Sequence, residues 1–572
     1  NTHNTDELLE EISHLRTQVQ KLKKQKRYGL VWEDKPELFD TESKNSLPVL
    51  INKGGKFKDI VSDKKEDFNI LIEGDNYHSL SVLKYTHRNK IDVIYIDPPY
   101  NTGNKDFIYN DHIVDKEDSF RHSKWLSFMY KRLRLAKDLL KENGVVLISI
   151  DDNEQAQLKL LCDEIFGHQN FISNLATIMN LKGNQDEFGF AGTHEYTLIY
   201  GKDKTKTYIG KFELDEEEID EWLEDEIGPY KKGAIKAGGV NGPREKRPNL
   251  FFPIFIRKDN SLYVNDSDTP SSKEDFIIYP ISDDKEMSWR WSKNKFMKEP
   301  FNILVSRDID GIPRLDRKVR PELSDKLTKK PKTIFYKPEY SSGNGTSLIK
   351  SIFGEKVFNN TKPPELLKDF FRITTDKEST ILDFMAGSGT TGHAVLDLNK
   401  EDGGNRKFIL CTNNENKICE DVTYERIKRV SQGYKNSKGE KVEGLGGNLK
   451  YLKTDFVKID SSIDDLKEKI VEASTQILCL KEGTFIEKDE QEKIKIFKNS
   501  DQYTAILFDT FYLDEFKKLL NTLTDKPISV YVFAYDKNFS KEEFVGIKPG
   551  IDYSVEPIPE KLLETYQEIF NF

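Results

Sequence analysis

Short apolar runs alternate with amphipathic stretches over two parts of the chain, near residues 68–200 and 379–412. Apolar runs of a few residues predict buried strands, and apolar residues at helical spacing predict the helices between them. The predicted strands are residues 69–72, 91–96, 145–150, 196–200, 379–384 and 407–412, and the predicted helices cover 125–141 and begin again at 391. Strands that alternate with helices in this way predict an α/β fold with a parallel, doubly wound sheet.

Three other parts of the chain have different patterns. Residues 201–345 carry charge runs, paired glycines and scattered prolines, so we predict an insertion there. Apolar residues near the N-terminus have the spacing of a short coiled-coil seam, namely Leu8, Ile12, Leu15, Val19 and Leu22. Residues 503–509 and 530–535 predict strands of a small C-terminal domain. Several domains are expected because the 572 residues exceed the ~250–300 at which single cores stop growing.

Charge is distributed unevenly along the chain. The net charge of −10 argues against a protein that coats nucleic acid without regard to sequence. Basic side chains nevertheless cluster in residues 121–141 and 314–337, whereas ten of the fourteen residues in 213–226 are acidic. Each basic cluster is either a solvated face or a phosphate contact.

The sequence predicts neither a membrane segment nor a metal site. Apolar runs stay below the ~18 residues that cross a bilayer, and we expect no signal peptide. The first residue is Asn rather than Met, as expected of a processed or trimmed chain. The cysteines lack metal-ligand spacing, and they are Cys162, Cys411, Cys419 and Cys479. We therefore expect a reduced, cytoplasmic protein.

The strongest chemical signal is Asp97-Pro98-Pro99-Tyr100, which directly follows the predicted strand 91–96. We call these four residues the Asp97 turn. The prolines fix φ and lack N–H donors, so carbonyl groups are presented at low entropic cost. A carboxylate, a carbonyl and an aromatic ring at one point can grip a flat heterocycle with an exocyclic amine. The alternative is a Pro-Pro turn that only ends a strand.

A second signal is the glycine turn, residues 383–391, where a predicted strand leads into glycines that open a helix. Such a turn lets a ligand lie against bare backbone at a helix N-terminus. Gly387 and Gly392 have P-loop spacing, but His393 stands in place of the P-loop lysine, which disfavours a nucleoside triphosphate. Three interpretations of the glycine turn remain, namely a site for a dinucleotide, a site for S-adenosylmethionine and a structural turn without a ligand.

Two acidic residues after neighbouring predicted strands could complete a nucleoside site. Glu415 follows strand 407–412 and could bind a ribose diol. Asp75 follows strand 69–72 and could accept a hydrogen bond from an adenine amine. Asp75 could equally be the N-cap of a helix that begins near Tyr77.

Together the two turns resemble those of DNA methyltransferases that methylate exocyclic amines, which pair an Asp-Pro-Pro-Tyr type of turn with a Phe-x-Gly-x-Gly loop. The order of the turns resembles the β group, in which a target-recognition domain lies between them. Within that group the chain resembles the modification subunit of type III restriction-modification systems. The segments that carry this resemblance are 28–32, 97–103, 194–200, 247–253, 289–293, 362–366 and 383–395. Met385 departs from the family's Phe but can still pack against a cofactor.

The resemblance implies a Rossmann-like, S-adenosylmethionine-dependent methyltransferase sheet within five segments. These are an N-terminal helical or coiled-coil segment (1–60), a catalytic half (61–200), an inserted target-recognition domain (201–345), a cofactor half (346–454) and a C-terminal domain for dimer or partner contacts (455–572). The implied catalytic residues are Asp97, Pro98, Pro99 and Tyr100. The implied cofactor residues are Asp75, Lys362, Pro363, Glu365, Asp383, Met385, Ala386, Gly387, Ser388, Gly389, Thr390, Thr391 and Glu415. Residues 362–366 are expected to close over the cofactor's methionine end, or else to begin a helix with proline.

The implied reaction transfers a methyl group to adenine N6 of duplex DNA after base flipping. Candidates for DNA contacts in the inserted domain are Arg244, Arg247, Arg290 and Lys293. The expected partners are double-stranded DNA, a second copy of the chain and a separate ATP-dependent restriction subunit, in a bacterial cytoplasm. Alternatives are cytosine-N4 methylation, a catalytically silent DNA-specificity module and a nicotinamide oxidoreductase.

Overall fold

The computed structural model describes residues 32–37 and 46–570, except residues 56, 64–65, 105, 110–111, 184–188, 215–221, 240–241, 321–327, 460–462 and 535–538. The predicted coiled-coil seam lies outside the described residues. The chain divides into two compact units, of which the first joins Asn1–Gly210 to Lys332–Phe572 and the second is Lys211–Pro331. The finer division into five segments stays a prediction.

A ten-stranded sheet forms the centre of the first unit. Its strands are β1 (Ser46–Asn52), β2 (Phe68–Glu73), β3 (Ile91–Ile96), β4 (Leu140–Ile150), β5 (Phe171–Ile178), β6 (His194–Gly201), β7 (Ile334–Phe335), β8 (Thr380–Asp383), β9 (Lys407–Thr412) and β10 (Asn448–Lys458). The order across the sheet is β1-β10-β2-β9-β8-β3-β4-β6-β5-β7. Strands β3 and β9 have the predicted bounds, and the other predicted strands differ by a few residues at their ends.

The middle of this sheet is parallel, and its edges are mixed. Strands β10, β2, β9, β8, β3 and β4 run parallel to one another. Strand β6 is antiparallel to both of its neighbours, β4 and β5, so the prediction of a parallel sheet was wrong there. An apolar run has the same pattern in both directions, and the pattern therefore predicts a strand without its orientation.

The described residues of the first unit also form α-helices. They are α1 (Asn76–His87), α2 (Arg121–Leu139), α3 (Gln155–Cys162), α4 (Ser342–Phe353), α5 (Pro364–Thr374), α6 (Thr390–Asp402), α7 (Glu425–Gln432), α8 (Ile463–Ala473), α9 (Thr475–Glu482), α10 (Leu513–Leu520) and α11 (Glu560–Phe570). In α2, Trp125, Met129 and Leu133 recur every four residues and are fully buried. They share one core with Ile94 and Val146 of the sheet, as an amphipathic helix should.

Strands β3 and β8 are paired side by side, with Ile381 opposite Val93 and Leu382 opposite Ile94. Parallel neighbours end at the same edge of a sheet. The Asp97 turn follows β3, and the glycine turn follows β8. The fold therefore places the two turns next to each other, although about 290 residues separate them in sequence.

A five-stranded sheet lies in the C-terminal part of the first unit. Its strands, in both chain and sheet order, are β11 (Ile486–Glu490), β12 (Ile494–Lys498), β13 (Tyr503–Leu507), β14 (Ile528–Phe533) and β15 (Tyr553–Ile558). The first three are antiparallel and the last three are parallel. Ile477, Leu562 and Tyr566 belong to the core of the large sheet, so α9 and α11 pack on that sheet.

The second unit, Lys211–Pro331, is built from short antiparallel strands. A four-stranded sheet contains Leu223–Asp225, Gly228–Ala234, Pro313–Val319 and Ile303–Arg307, and a three-stranded sheet contains Leu262–Tyr263, Ile254–Ile256 and Phe276–Ile278. Pairs of two-residue strands join Phe212–Glu213 to Thr328–Lys329 and Ile281–Ser282 to Lys285–Glu286. Trp289 and Trp291 pack with Phe296 of the helix Lys293–Lys298 in its core.

No helix among the described residues is both long and apolar enough to cross a membrane. No three His, Cys, Asp or Glu side chains in the described ranges are grouped so that they could hold a metal ion. All four cysteines are buried and free of disulfides.

Candidate active site

The Asp97 turn presents a carboxylate and a phenol at the edge of the sheet. Asp97 keeps 28% of its side chain exposed. The Tyr100 hydroxyl lies 2.8 Å from Asp97 Oδ1, within hydrogen-bond distance. Trp125 of α2 donates from Nε1 to the Pro99 carbonyl at 2.7 Å. The turn is therefore braced from the helix side while its aspartate faces outward.

Two charged residues from distant segments join Asp97 and Tyr100, and we call these four residues the Asp97 cluster. Lys362 Nζ donates to the Tyr100 hydroxyl at 2.5 Å and to Glu195 Oε2 at 3.0 Å. It also forms ion pairs with Glu195 Oε1 at 2.8 Å and with Asp97 Oδ1 at 3.3 Å. The Tyr100 hydroxyl lies 3.1 Å from Glu195 Oε2 as well. The Lys362 ammonium thus contacts two carboxylates and one phenol hydroxyl.

Burial and the neighbouring charges together set the pKa values in the Asp97 cluster. Burial raises the pKa of Glu195 above its usual value, although the Lys362 ammonium opposes this. Burial alone would lower the pKa of Lys362, but the carboxylates of Asp97 and Glu195 outweigh burial and raise it. Lys362 is therefore a cation in this cluster at neutral pH.

Glu195 reaches the cluster because β6 is antiparallel. In the register of β4 and β6, Tyr196 lies opposite Ile150, the last residue of β4. The first residues of β6 consequently lie at the edge where β3 and β8 end. A parallel β6 would have placed Glu195 at the opposite edge, and sequence reasoning missed this residue for that reason.

Asn101 anchors the end of the Asp97 turn, and the sequence pattern did not reveal it. Asn101 is buried with a φ of +57° and donates to Glu154 Oε1 at 2.5 Å. The same oxygen lies 2.6 Å from His122 Nδ1. Burial raises the pKa of Glu154 to about 8. This buried contact fixes the backbone directly after Tyr100.

Both carboxylate oxygens of Asp383 accept hydrogen bonds from groups of the glycine turn itself. Asp383 is 3% exposed and accepts from the Met385 N–H at 3.0 Å and from the Thr391 hydroxyl at 2.5 Å. Burial raises the pKa of Asp383 to about 7. Gly387 and Gly389 have φ values of +50° and +77°, a region that L side chains rarely adopt. Both carboxylate oxygens of Asp383 therefore shape the turn that its backbone presents.

Helix α7 and the residues before it support the glycine turn from below. Arg426 is fully buried and donates to the Ser388 carbonyl at 3.2 Å, the Ser388 hydroxyl at 3.1 Å and the Thr390 hydroxyl at 2.8 Å. Burial lowers the pKa of Arg426 to about 9. The Thr423 hydroxyl donates to the Gly387 carbonyl at 2.6 Å. Sequence reasoning missed both Arg426 and Thr423, because a single polar residue in an amphipathic helix carries no signal of its partner.

The other predicted cofactor residues lie around the same edge of the sheet. Asp75 caps α1 by accepting from the Tyr77 N–H at 2.7 Å, and it pairs with Arg132 at 3.3 Å. The alternative reading of Asp75 as an N-cap is therefore confirmed, and its contact with a cofactor stays a prediction. Glu415 is exposed at the start of a 3-10 turn after β9.

Residues 362–366 lead into α5, which begins at Pro364, so the reading of a proline-started helix is also confirmed. Pro363 precedes the first helical residue. Glu365 pairs with Lys368 at 2.9 Å within the helix. Met385 is half-buried against the core and Ala386 is buried.

The predicted DNA contacts all lie in the second unit. Arg244, Arg247 and Arg290 are exposed. Arg244 pairs with Glu286 at 2.8 Å, whereas Lys293 is half-buried and pairs with Asp268 at 2.6 Å.

The predicted site residues follow four consecutive strands of the sheet. In the order β3-β8-β9-β2, these strands lead to Asp97, the glycine turn, Glu415 and Asp75. Strands spaced by ~4.8 Å make this edge roughly 14 Å long. That length and this sequence of groups fit a nucleoside joined to an amino acid, with a second, flat group at Asp97.

Comparison with known proteins identifies the family of the chain. The model of the DNA methylase family matches residues 91–425, more than half of the chain. The Mod subunit of the type III restriction-modification enzyme EcoPI of Escherichia phage P1 is 37% identical over 544 residues, which cover 88% of this chain and 81% of that protein. The StyLTI Mod subunit of Salmonella typhimurium is 33% identical over 65% of this chain and 57% of its own length. The type II methyltransferase M.KpnI of Klebsiella pneumoniae is 34% identical over 65% of this chain and 89% of its own length.

These matches and the geometry of the two turns define a DNA-modifying enzyme. The chain belongs to the DNA methylase family and, within it, to the modification (Mod) subunits of type III restriction-modification enzymes.

Proposed function

We propose that this chain transfers a methyl group from S-adenosylmethionine to N6 of adenine in duplex DNA, as the modification and recognition subunit of a type III system. The observation that carries the proposal is the pairing of β3 with β8. This pairing puts a turn suited to an exocyclic amine beside a turn suited to a cofactor. A nicotinamide oxidoreductase would use the glycines but would leave the Asp97 turn without a role.

The residues of the glycine turn fit S-adenosylmethionine. The left-handed glycines expose backbone at the first turn of α6, where N–H groups lack partners within the helix and favour a carboxylate. Glu415 is exposed after β9 and would take the ribose, and Asp75 would take the adenine. When bound, the cofactor supplies an electrophilic methyl group on a sulfonium.

The Asp97 turn would hold and orient the target base. The N6 amine is a poor nucleophile because its lone pair is conjugated into the ring. Asp97 and the Pro98 carbonyl would accept hydrogen bonds from both N6 hydrogens, and Tyr100 would stack on the base. Flipping the base out costs a few kcal/mol, while positioning in a dry pocket can lower a barrier by up to ~7–11 kcal/mol.

Recognition of the DNA sequence would belong to the second unit. Its exposed Arg244, Arg247 and Arg290 can reach phosphates or guanine edges. Arg244 and Lys293 each pair with a carboxylate, and Lys293 is the weaker candidate of the two because it is half-buried as well. The partners in this proposal are double-stranded DNA, a second copy of the chain and an ATP-dependent restriction subunit, in a bacterial cytoplasm.

The experiment incubates the protein with duplex DNA and S-adenosylmethionine that carries a labelled methyl group. Nucleosides are then released and separated, and we expect the label in N6-methyldeoxyadenosine. Label in N4-methyldeoxycytidine would replace adenine by cytosine as the target. Unlabelled nucleosides, from a protein shown to bind S-adenosylmethionine and DNA, would reduce the chain to a DNA-specificity module.

A further inference from the structure

The Asp97 cluster contains one buried carboxylate that the proposed reaction does not use. Glu195 has a side chain only 12% exposed, and it holds Lys362 through both oxygens, at 2.8 and 3.0 Å. Asp97 touches the same ammonium through one oxygen, at the longer distance of 3.3 Å. Lys362 is thus bound more closely by Glu195 than by Asp97.

The position of Lys362 matters because its ammonium and the target amine both bind the Asp97 carboxylate. A cation bound to Asp97 alone would occupy the carboxylate and offset its charge. The amine becomes more positive as it gains a methyl group, so a neutralised Asp97 would stabilise it less. With Glu195 ionised the three charged side chains sum to −1, and this charge can stay on Asp97.

We propose that Glu195 is a positioning residue for methyl transfer, which draws the Lys362 ammonium onto its own two oxygens and leaves it a single, longer contact with Asp97, so that the Asp97 carboxylate keeps most of its negative charge for the adenine amine. This inference rests on the proposed function and deepens it. Glu195 acts through Lys362, and the Tyr100 hydroxyl at 3.1 Å fixes the Glu195 oxygen that faces the turn.

The sum of charges predicts how substitutions combine. In Glu195→Gln the ammonium has Asp97 as its remaining carboxylate, and the cluster becomes neutral. In Lys362→Met two carboxylates face each other without a cation. In the double variant Glu195→Gln/Lys362→Met, Asp97 alone keeps a charge, and the cluster returns to −1. The effects of the two substitutions on the rate are therefore expected to be non-additive.

The experiment measures the single-turnover rate of methyl transfer to duplex DNA at saturating S-adenosylmethionine, together with the Kd values for S-adenosylmethionine and DNA. We expect Glu195→Gln to lower the rate about 100-fold, with the Kd for DNA changed by less than about 3-fold. The double variant should transfer at least about 10 times faster than Glu195→Gln and faster than Lys362→Met. Lys362→Met and the double variant share the same change at position 362, so any effect of Lys362 on cofactor affinity is the same in both.

A double variant no faster than the two single variants, or a Glu195→Gln variant as fast as the wild type, would overturn the inference. If Glu195→Gln does not fold, the rate of the double variant relative to Lys362→Met alone decides. A wild-type protein that transfers no methyl group would overturn the proposed function and this inference together. An active wild type with a slow double variant would overturn this inference only.

Discussion

The Asp97 turn and the glycine turn each begin with an aspartate at the end of a parallel strand, but the two aspartates are used in opposite ways. Asp97 is partly exposed, and one of its oxygens contacts the Tyr100 hydroxyl of its own turn and the Lys362 ammonium of a distant segment. Asp383 is buried, and both of its oxygens bind groups of its own turn. A carboxylate proposed to bind a substrate keeps part of its surface exposed. A carboxylate that shapes a backbone turn has both oxygens hydrogen-bonded within that turn. Residue type and position alone would not have distinguished them.

This difference predicts that substitutions in the Asp97 turn lower the rate of methyl transfer and have little effect on the affinity for the cofactor. Tyr100→Ala removes the ring that would stack on the flipped base, and stacking is worth about 1–3 kcal/mol per base. We expect a rate of methyl transfer about 100-fold lower and an unchanged Kd for S-adenosylmethionine. Tyr100→Phe keeps the ring and should lose less than about 10-fold. Equal losses in both variants would show that the hydroxyl, not the ring, carries the effect.

Substitutions in the glycine turn should instead weaken cofactor binding. Gly389→Val places a branched side chain at a φ of +77°, with its Cβ 3.1 Å from the Thr423 methyl group. We expect the Kd for S-adenosylmethionine to rise about 10-fold or more, since the left-handed conformation costs roughly 1–2 kcal/mol. The measurement is calorimetric titration without DNA.

Gly403→Val is the matched control, because Gly403 has a φ of +67° at the other end of α6 and open space around its Cβ. It should lower the stability by about 1–2 kcal/mol and leave the Kd unchanged. A Kd that rose equally in both variants would mean that general strain, not the shape of the turn, controls binding.

The buried Asp383 should make stability depend on pH. Burial raises its folded-state pKa from the usual 3.8 to about 7, so the folded state holds this proton more tightly than the unfolded state does. Its contribution to stability is complete below pH 3.8 and is lost as the pH rises to about 7. Asp383→Asn cannot ionise and can still hydrogen-bond to the Met385 N–H and Thr391.

Unfolding by denaturant at pH 5 and pH 8 measures this effect. The variant should gain about 1–3 kcal/mol on the wild type between the two pH values. A constant difference between the proteins over this range would show that Asp383 is ionised in the fold.

The smallest effect is expected from loss of the support that α2 gives to the Asp97 turn. Trp125→Phe keeps most of the buried ring but removes the hydrogen bond to the Pro99 carbonyl. One such bond is worth about 1 kcal/mol, so the rate of methyl transfer should fall about 3- to 10-fold with unchanged cofactor affinity. A change in cofactor affinity would show that the two turns are mechanically coupled.

Sequence reasoning predicted the two turns and the strands that carry them. Each of these depends on local patterns, such as the apolar run before Asp97 and the glycines after Asp383. It assigned Lys362 to the cofactor, which stays a prediction, and it did not foresee that the Lys362 ammonium contacts Tyr100 in the Asp97 cluster. Contacts such as Glu195 with Lys362 join segments 167 residues apart, and their formation depends on strand orientation. The residues 194–200 did contribute to the family resemblance, and a charged residue at the start of that apolar strand was the available signal for Glu195.

In the proposed reaction, Asp97 activates the amine while the glycine turn independently holds the methyl donor. The most direct test is the single-turnover rate of methyl transfer by Asp97→Ala, at a concentration of S-adenosylmethionine shown by titration to saturate the variant. We expect the rate to fall by about 1,000-fold, while the Kd for S-adenosylmethionine stays within about 3-fold of the wild-type value. A saturated Asp97→Ala variant that methylated DNA at close to the wild-type rate would contradict this account.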